Sequence, residues 1–256
     1  MIGAFKFNET ESSEFDLVCK SIKRPLLPQA KVKRVELAGA SGAYDFPNTE
    51  YGLRELEMRI TYKGTSFAEL RSRARSIAAW LSTDDFAELI INDEPDKYYL
   101  ARVTDELDLS TLQEAGECTI KFDCQPFAYS VDEVIEIFET IISQTNCEFE
   151  HPGTRAINYR APSGSKSLIS ISGSWTTLSL ALNGKTLTYS QARSGKTLII
   201  DNIDMEVTID GTNVFSYLGG DIDSFLPIIS GDNTLVVNGT GLNLTTVMID
   251  FIPLWI

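Results

Sequence analysis

INDEPDKYYLARV, residues Ile91 to Val103, decides how the rest of the chain is read. It places Asp93, Glu94 and Asp96 within a few residues of one another, and close carboxylates can share protons or hold a divalent cation. The same letters also spell a hairpin. Asn-Asp and Glu-Pro-Asp are turn chemistry, and the flanks ELII and YYLARV are rich in strand formers. The acids lack the alternating oxygen ligands and the turn glycine of a calcium loop. The stretch therefore predicts two antiparallel strands joined by a solvated acidic turn.

Outward from that hairpin the first half alternates in the same way. GAFKFN, FDLVCKSI, KVKRVELAG and LRELEMRITYKG precede it, and ECTIKFDCQPFAYS follows it, closed by Pro126, which cannot sit in a central ladder. One helix interrupts the strands. SFAELRSRARSIAAWLS opens with Ser66 and Glu69 at capping-box spacing. Phe67, Leu70, Ala74, Ile77, Ala78 and Leu81 form an apolar stripe that packs on a sheet. Arg71 and Arg75 fall on one flank of the stripe and Arg73 on the other, which reads as solvated surface or subunit contact. VDEVIEIFETII fits both the helical and the strand period, with strand the preferred reading.

Beyond Cys147 helical patterns vanish and short strands alternate with turn pairs at Asn183-Gly, Ser194-Gly, Asp210-Gly and Asn238-Gly, the pattern of a β-sandwich. The polar stretch SQTNCEFEHPGT sets the expected division into residues 1–145, an α+β domain with one helix on β-sheets, and 146–256, a β-sandwich. The fold class is mainly β.

Composition narrows the chemistry. There are 36 acidic and 22 basic residues, a net charge of −14, which repels nucleic acid and anionic membranes at long range. The amino terminus lacks the basic start and apolar core of a secretory signal, and no segment has the apolar length of a bilayer span, so a soluble product made in the cytoplasm and free of membrane is expected. Cys19, Cys118, Cys124 and Cys147 contain no C-x-x-C pair and read as buried reduced thiols. His151 is the only histidine; it excludes multi-histidine metal sites and lies in turn sequence as a surface or hinge residue. NGKT at Asn183 and SGKT at Ser194 end like phosphate loops, but Ser179 and Ser190 stand where the first glycine belongs and no helix follows, so both read as hairpin turns. Asn238 and Asn243 head glycosylation triplets that mean little without an export signal. No acid pair is marked out for glycoside hydrolysis. No catalytic, metal or cofactor residue is assigned.

The order of these segments closely resembles the distal tail proteins of long non-contractile-tailed phages and prophages. FKFN, IKRPLLP, GASGAYD, YGLRELEMRI, the arginine-rich helix ending IAAWL, the DEPDKYY hairpin and FDCQPFAY look like that family's amino-terminal domain. LIIDNIDMEVTIDGTN, SFLPIISGDNTLVVNG and the closing strand with Trp255 are similar to its galectin-like sandwich, in which Gly231-Asp232-Asn233 makes the tight turn before a long strand. The resemblance implies no catalysis and a structural role in the virion. That role is a hexameric ring at the tail tip joining the tail tube to the adsorption apparatus, with DNA passing the channel without specific binding. It implies as partners the tail tube protein, the tape-measure protein, the tail-tip hub or tail-associated protein and the receptor-binding protein.

Two sets of residues follow as candidates. Tyr44, Phe46 and Tyr51 occupy a Gly- and Pro-containing loop between strands, and aromatic side chains on such a loop suit a subunit interface. Trp175 and Tyr189 are the rings on which a galectin-like sandwich would stack a saccharide, the alternative being a sugar-binding module for the host cell wall. A cell-wall hydrolase is the enzymatic alternative.

Overall fold

The computed structural model describes residues 3–39, 41–46, 50–62, 66–105 and 117–256. It is mainly β and divides by internal contacts into two units, residues 1–128 with Ile256, and Tyr129–Trp255.

In the first unit β1 (Phe5–Phe7), β2 (Thr10–Glu11), β3 (Leu17–Lys23), β6 (Arg54–Tyr62), β7 (Ala87–Ile91), β8 (Glu94–Val103) and β9 (Glu117–Cys124) form an antiparallel sheet ordered β2-β1-β7-β8-β9-β6-β3. Two further strands, β4 (Lys33–Glu36) and β5 (Ala43–Phe46), pair only with each other. The inward positions of the large sheet carry Phe5, Phe7, Leu56, Met58, Ile60, Leu89, Ile120 and Phe122, all buried, because side chains on a strand alternate between faces.

The one α-helix among the described residues, α1 (Phe67–Leu81), is anchored on this sheet at its carboxyl end. Ile77, Trp80 and Leu81 are buried at helical spacing, whereas Ala78, expected in the stripe, is exposed. Trp80 takes the place expected of it: its indole lies 4.8 Å from the Phe15 ring and 5.7 Å from Phe5, and Nε1 donates to the Phe7 carbonyl at 2.8 Å. A large ring reaches the sheet from a helical position that a methyl group does not fill. The expected stripe residues Phe67, Leu70 and Ala74, and the capping-box Glu69, have side chains outside the described residues.

The second unit contains β10 (Ala128–Ser130) from its second residue on, β11 (Val134–Ile141), β12 (Thr145–His151), β13 (Ser167–Trp175), β14 (Thr177–Leu182), β15 (Lys185–Tyr189), β16 (Arg193–Asp201), β17 (Glu206–Ile209), β18 (Thr212–Asn213), β19 (Leu218–Gly220), β20 (Gly231–Thr240), β21 (Asn243–Phe251) and β22 (Leu254–Trp255). Six strands ordered β11-β21-β13-β16-β17-β18 and five ordered β12-β20-β14-β15-β19 make the two sheets of a sandwich. Alternate residues such as Ile169, Ile171, Leu180, Leu198, Leu235, Val247 and Ile249 fill the space between them.

The division lies earlier than the sequence suggests. VDEVIEIFETII is a strand, and β11 pairs from Val134↔Phe251 to Ile141↔Leu244 with β21, the last strand of the sandwich. The polar stretch after it is no linker, since β12 pairs residue by residue with β20 from Thr145↔Val237 to His151↔Gly231. Alternating Glu and Asn on β12 face solvent while Cys147, Phe149 and His151 face the core, so polarity here marks one face of a strand.

Two of the four expected turns are turns. Asn183-Gly184 joins β14 to β15 with φ of 48° and 79°, and Asp210-Gly211 joins β17 to β18 with 50° and 74°, the positive-φ pairs that two-residue hairpins need. Ser194-Gly195 instead lies inside β16, where the register with β13 shifts between Gly173 and Trp175. Asn238-Gly239 lies inside β20; a Cβ on Gly239 would come within 2.1 Å of the Thr177 carbonyl oxygen, so this glycine serves close strand approach.

Candidate interaction surfaces

The acidic hairpin is a turn, but its carboxylates are not merely solvated. The two-residue turn is Asn92-Asp93, and Glu94-Pro95-Asp96 already belongs to β8, displaced by an irregularity that takes the register from Ile90↔Tyr98 to Ile91↔Glu94. Arg24 reaches both Asp93, at 3.2 Å, and Glu94, while Lys97 contacts Asp96 at 2.8 Å and Glu94 at 3.8 Å. The Arg24 guanidinium is partly desolvated, which disfavours its charge, yet Tyr99, Glu94 and Asp93 outweigh this and hold its pKa above the ordinary value. These two cations offset most of the charge of the three carboxylates. Among the described residues no group of three His, Cys, Asp or Glu could hold a metal ion.

The remaining reactive side chains are occupied structurally. His151 is buried, not on the surface: Nε2 lies 2.8 Å from the Arg155 carbonyl and the Gly153 amide donates to Nδ1 at 3.1 Å. That pattern fixes the neutral tautomer protonated at Nε2. Burial lowers its pKa against the smaller opposing effect of the Arg155 carbonyl. All four cysteines are buried and outside any disulfide; desolvation pushes Cys19 and Cys147 up to about 11 and Cys124 further.

The two rings expected to stack on sugar are both in the sandwich core. Trp175 and Tyr189 are each 2% exposed and meet edge to face, centroids 6.3 Å apart at 77°. They sit at positions whose side chains alternate inward, at the ends of β13 and β15, and neither offers a free face to a saccharide. A small apolar crevice beside Tyr189 is lined by leucines of both sheets, including Leu178, Leu187 and Leu198.

The three interface candidates fare differently. Tyr44 and Phe46 lie on strand β5 and not in a loop; Tyr44 is 57% exposed, and the Phe46 side chain lies outside the described residues. Tyr51 forms a bridge with Ala30 and packs edge-on against Phe127 at 5.6 Å, which makes it the foot of the hairpin.

That hairpin is the most unusual surface of the first unit. Amide-to-carbonyl bonds from Lys31 to Glu50 and from Gly52 to Gln29 extend the β4–β5 ladder back to its base. Every described residue from Gln29 to Tyr44 is exposed. The register places Lys33 and Val35 on the same face as positions 46 and 44, and Arg34 and Glu36 on the other with Asp45 and Ala43. Leu26, 88% exposed, and Leu27 stand at its base. A two-stranded ribbon with no core of its own is marginally stable in water, and these apolar groups form an exposed patch on it. The sequence showed the aromatics but not the ribbon, because GASGAYD reads as a loop; the alternation of KVKRVE was the available signal. Of the helix arginines, Arg71 and Arg75 are exposed and Arg73 is held by Asp16 at 2.8 Å.

Comparison with known proteins agrees with this architecture. Residues 14–124 match the family model described as the phage tail protein RIFT-related domain. No curated protein matches the sequence. The crystal structure of the SPP1 Dit (gp 19.1) protein, described as a paradigm of the hub adsorption apparatus in Gram-positive infecting phages, is 17% identical over 100% of both chains, with a TM-score of 0.72. A chain of the phage p2 baseplate in its activated conformation with Sr is 10% identical over 98% of both chains, with a TM-score of 0.44. Residues 14–124 of the chain thus match a RIFT-related phage tail protein domain, and the chain as a whole shares the fold of SPP1 Dit.

Proposed function

We propose that the protein is a structural component of the virion that forms a hexameric ring at the distal end of a long non-contractile tail and joins the tail tube to the adsorption apparatus. The observation that carries this reading is the exposed β4–β5 ribbon, which bears the solvent-exposed Val35 and Tyr44 within the residues that match the phage tail domain. The whole-length fold shared with a protein described as a hub adsorption apparatus supports it. The first unit supplies the ring-forming surface, through Tyr44 and the strand that holds Phe46, with Tyr51 fixing the foot of the ribbon. The second, a galectin-like sandwich, serves as a docking module.

Tail tube protein, tape-measure protein, tail-tip hub protein and receptor-binding protein are the expected neighbours, and the place of action is the tail tip. A net charge of −14 suits a channel that lets DNA pass without holding its phosphates. The assignment includes no enzymatic step, and the burial of Trp175 and Tyr189 removes the stacking surface on which a saccharide-binding reading depended.

Negative-stain electron microscopy with multi-angle light scattering of the purified chain tests the reading. Closed rings of six subunits are expected at high concentration. A protein that stays monomeric there, and also fails to restore tail tips when supplied to phage lacking its counterpart, refutes it.

A further inference from the structure

A second surface needs covering, on the sandwich. The outer face of its six-stranded sheet carries Ile135 and Ile137, 52% and 56% exposed, on the edge strand β11. Cross-strand register continues this patch through Ile137↔Met248↔Ser170↔Ile199, with Leu168 beside it opposite Asp250. An outward sheet face normally alternates to polar residues, and here two successive outward positions of one strand are isoleucines. The surround is acidic. Glu139 and Asp132 are exposed, Asp201 and Glu206 face each other across β16 and β17, and the lysine at the rim, Lys166, is already held by Glu133 and Asp250 at 2.7 and 2.8 Å.

The ribbon of the first unit is complementary in kind. Its Val35 and Tyr44 positions are apolar, and its neighbouring Lys33 and the preceding Lys31 are basic in a chain of net charge −14. Two copies of one surface would set like charges together, whereas ribbon against sheet face sets lysine against glutamate.

We infer that the apolar face of the β4–β5 ribbon of one copy docks on the Ile135–Ile137 face of the sandwich of the next copy. The inference rests on the ring reading and gives it a contact. Different patches meet head to tail, the arrangement that closes a ring when the rotation permits and extends as a filament when it does not. One contact of this kind covers both exposed apolar surfaces.

Cysteine cross-linking of the full-length chain tests it. V35C and I137C are made as separate proteins, with the four native thiols buried and silent. Mixed and mildly oxidised, they give a covalent dimer of twice the 28.4 kDa chain mass, and neither does so alone. Val35 and Ile137 are exposed, so neither change disturbs the core. A charge test runs beside it: K33E raises the assembly midpoint about threefold to tenfold, and E139K in the same chain restores most of the loss. Assembly of the wild type with no mixed cross-link, or with cross-linking as strong in either variant alone, overturns this contact and leaves the ring standing. A wild type that stays monomeric at millimolar concentration overturns both.

Discussion

Tyr44→Ala offers the sharpest measure of the assembly. The ring is 57% exposed on a ribbon without its own core, so its loss changes the stability of the isolated subunit by no more than about 1 kcal/mol. In the assembly a tyrosine buried at the centre of a contact costs on the order of 1.4 kcal/mol when truncated, about a factor of ten for each interface. A closed ring of six has six such contacts, but its formation from monomers scales with the fifth power of concentration. The tenfold loss, taken six times and shared over five powers, becomes a rise of about sixteenfold in the concentration at half assembly. Sedimentation velocity over two decades of concentration reads this midpoint, and differential scanning calorimetry of the monomer checks the fold. A shift below twofold with an unchanged melting temperature refutes the assignment of Tyr44 to the interface. A lowered melting temperature of several degrees instead makes the residue part of the subunit's own packing.

Other outcomes follow from the packing. Trp80→Ala removes the indole stacked on Phe15 and the hydrogen bond to Phe7, and costs about 3–5 kcal/mol, measured as a lowered urea midpoint in far-ultraviolet circular dichroism. Changing Asp93, Glu94 and Asp96 to Asn, Gln and Asn breaks half-exposed pairs with Arg24 and Lys97 and lowers stability by about 1 kcal/mol, a difference that shrinks in 1 M salt; tight calcium binding abolished by the same change would contradict the structural assignment. His151 has its folded pKa below its unfolded value of about 6.5, so the unfolded chain binds the proton more readily. Its contribution is full above that value and falls as pH drops through it towards the folded pKa. The melting temperature of the wild type should decline from pH 7 to 5 more steeply than that of His151→Gln.

The sequence alone determined the class of fold and most of its elements. Alternation in FKF, RELEMRITY, ECTIKFDC and SLISISGSW is a local property with period two, readable without knowing the partner strand. The Asn183-Gly184 and Asp210-Gly211 turns were legible because their backbone torsions are met within two residues.

Tertiary structure decided what depends on partners distant in the chain. Whether an aromatic ring is core or surface is not written in its neighbours: Trp175 and Tyr189 are buried because the opposite sheet closes over them, whereas Tyr44 is exposed on a ribbon whose strands, among the described residues, pair only with each other. Trp80 supplants Ala78 at the helix–sheet contact because Phe5, Phe7 and Phe15 converge there from earlier in the chain. The boundary moved for the same reason, since β11 belongs with a strand more than a hundred residues later and only pairing assigns it there. Periodicity specifies which face of a strand is apolar, and the long-range pairing of strands decides whether that face lies in a core or stays exposed.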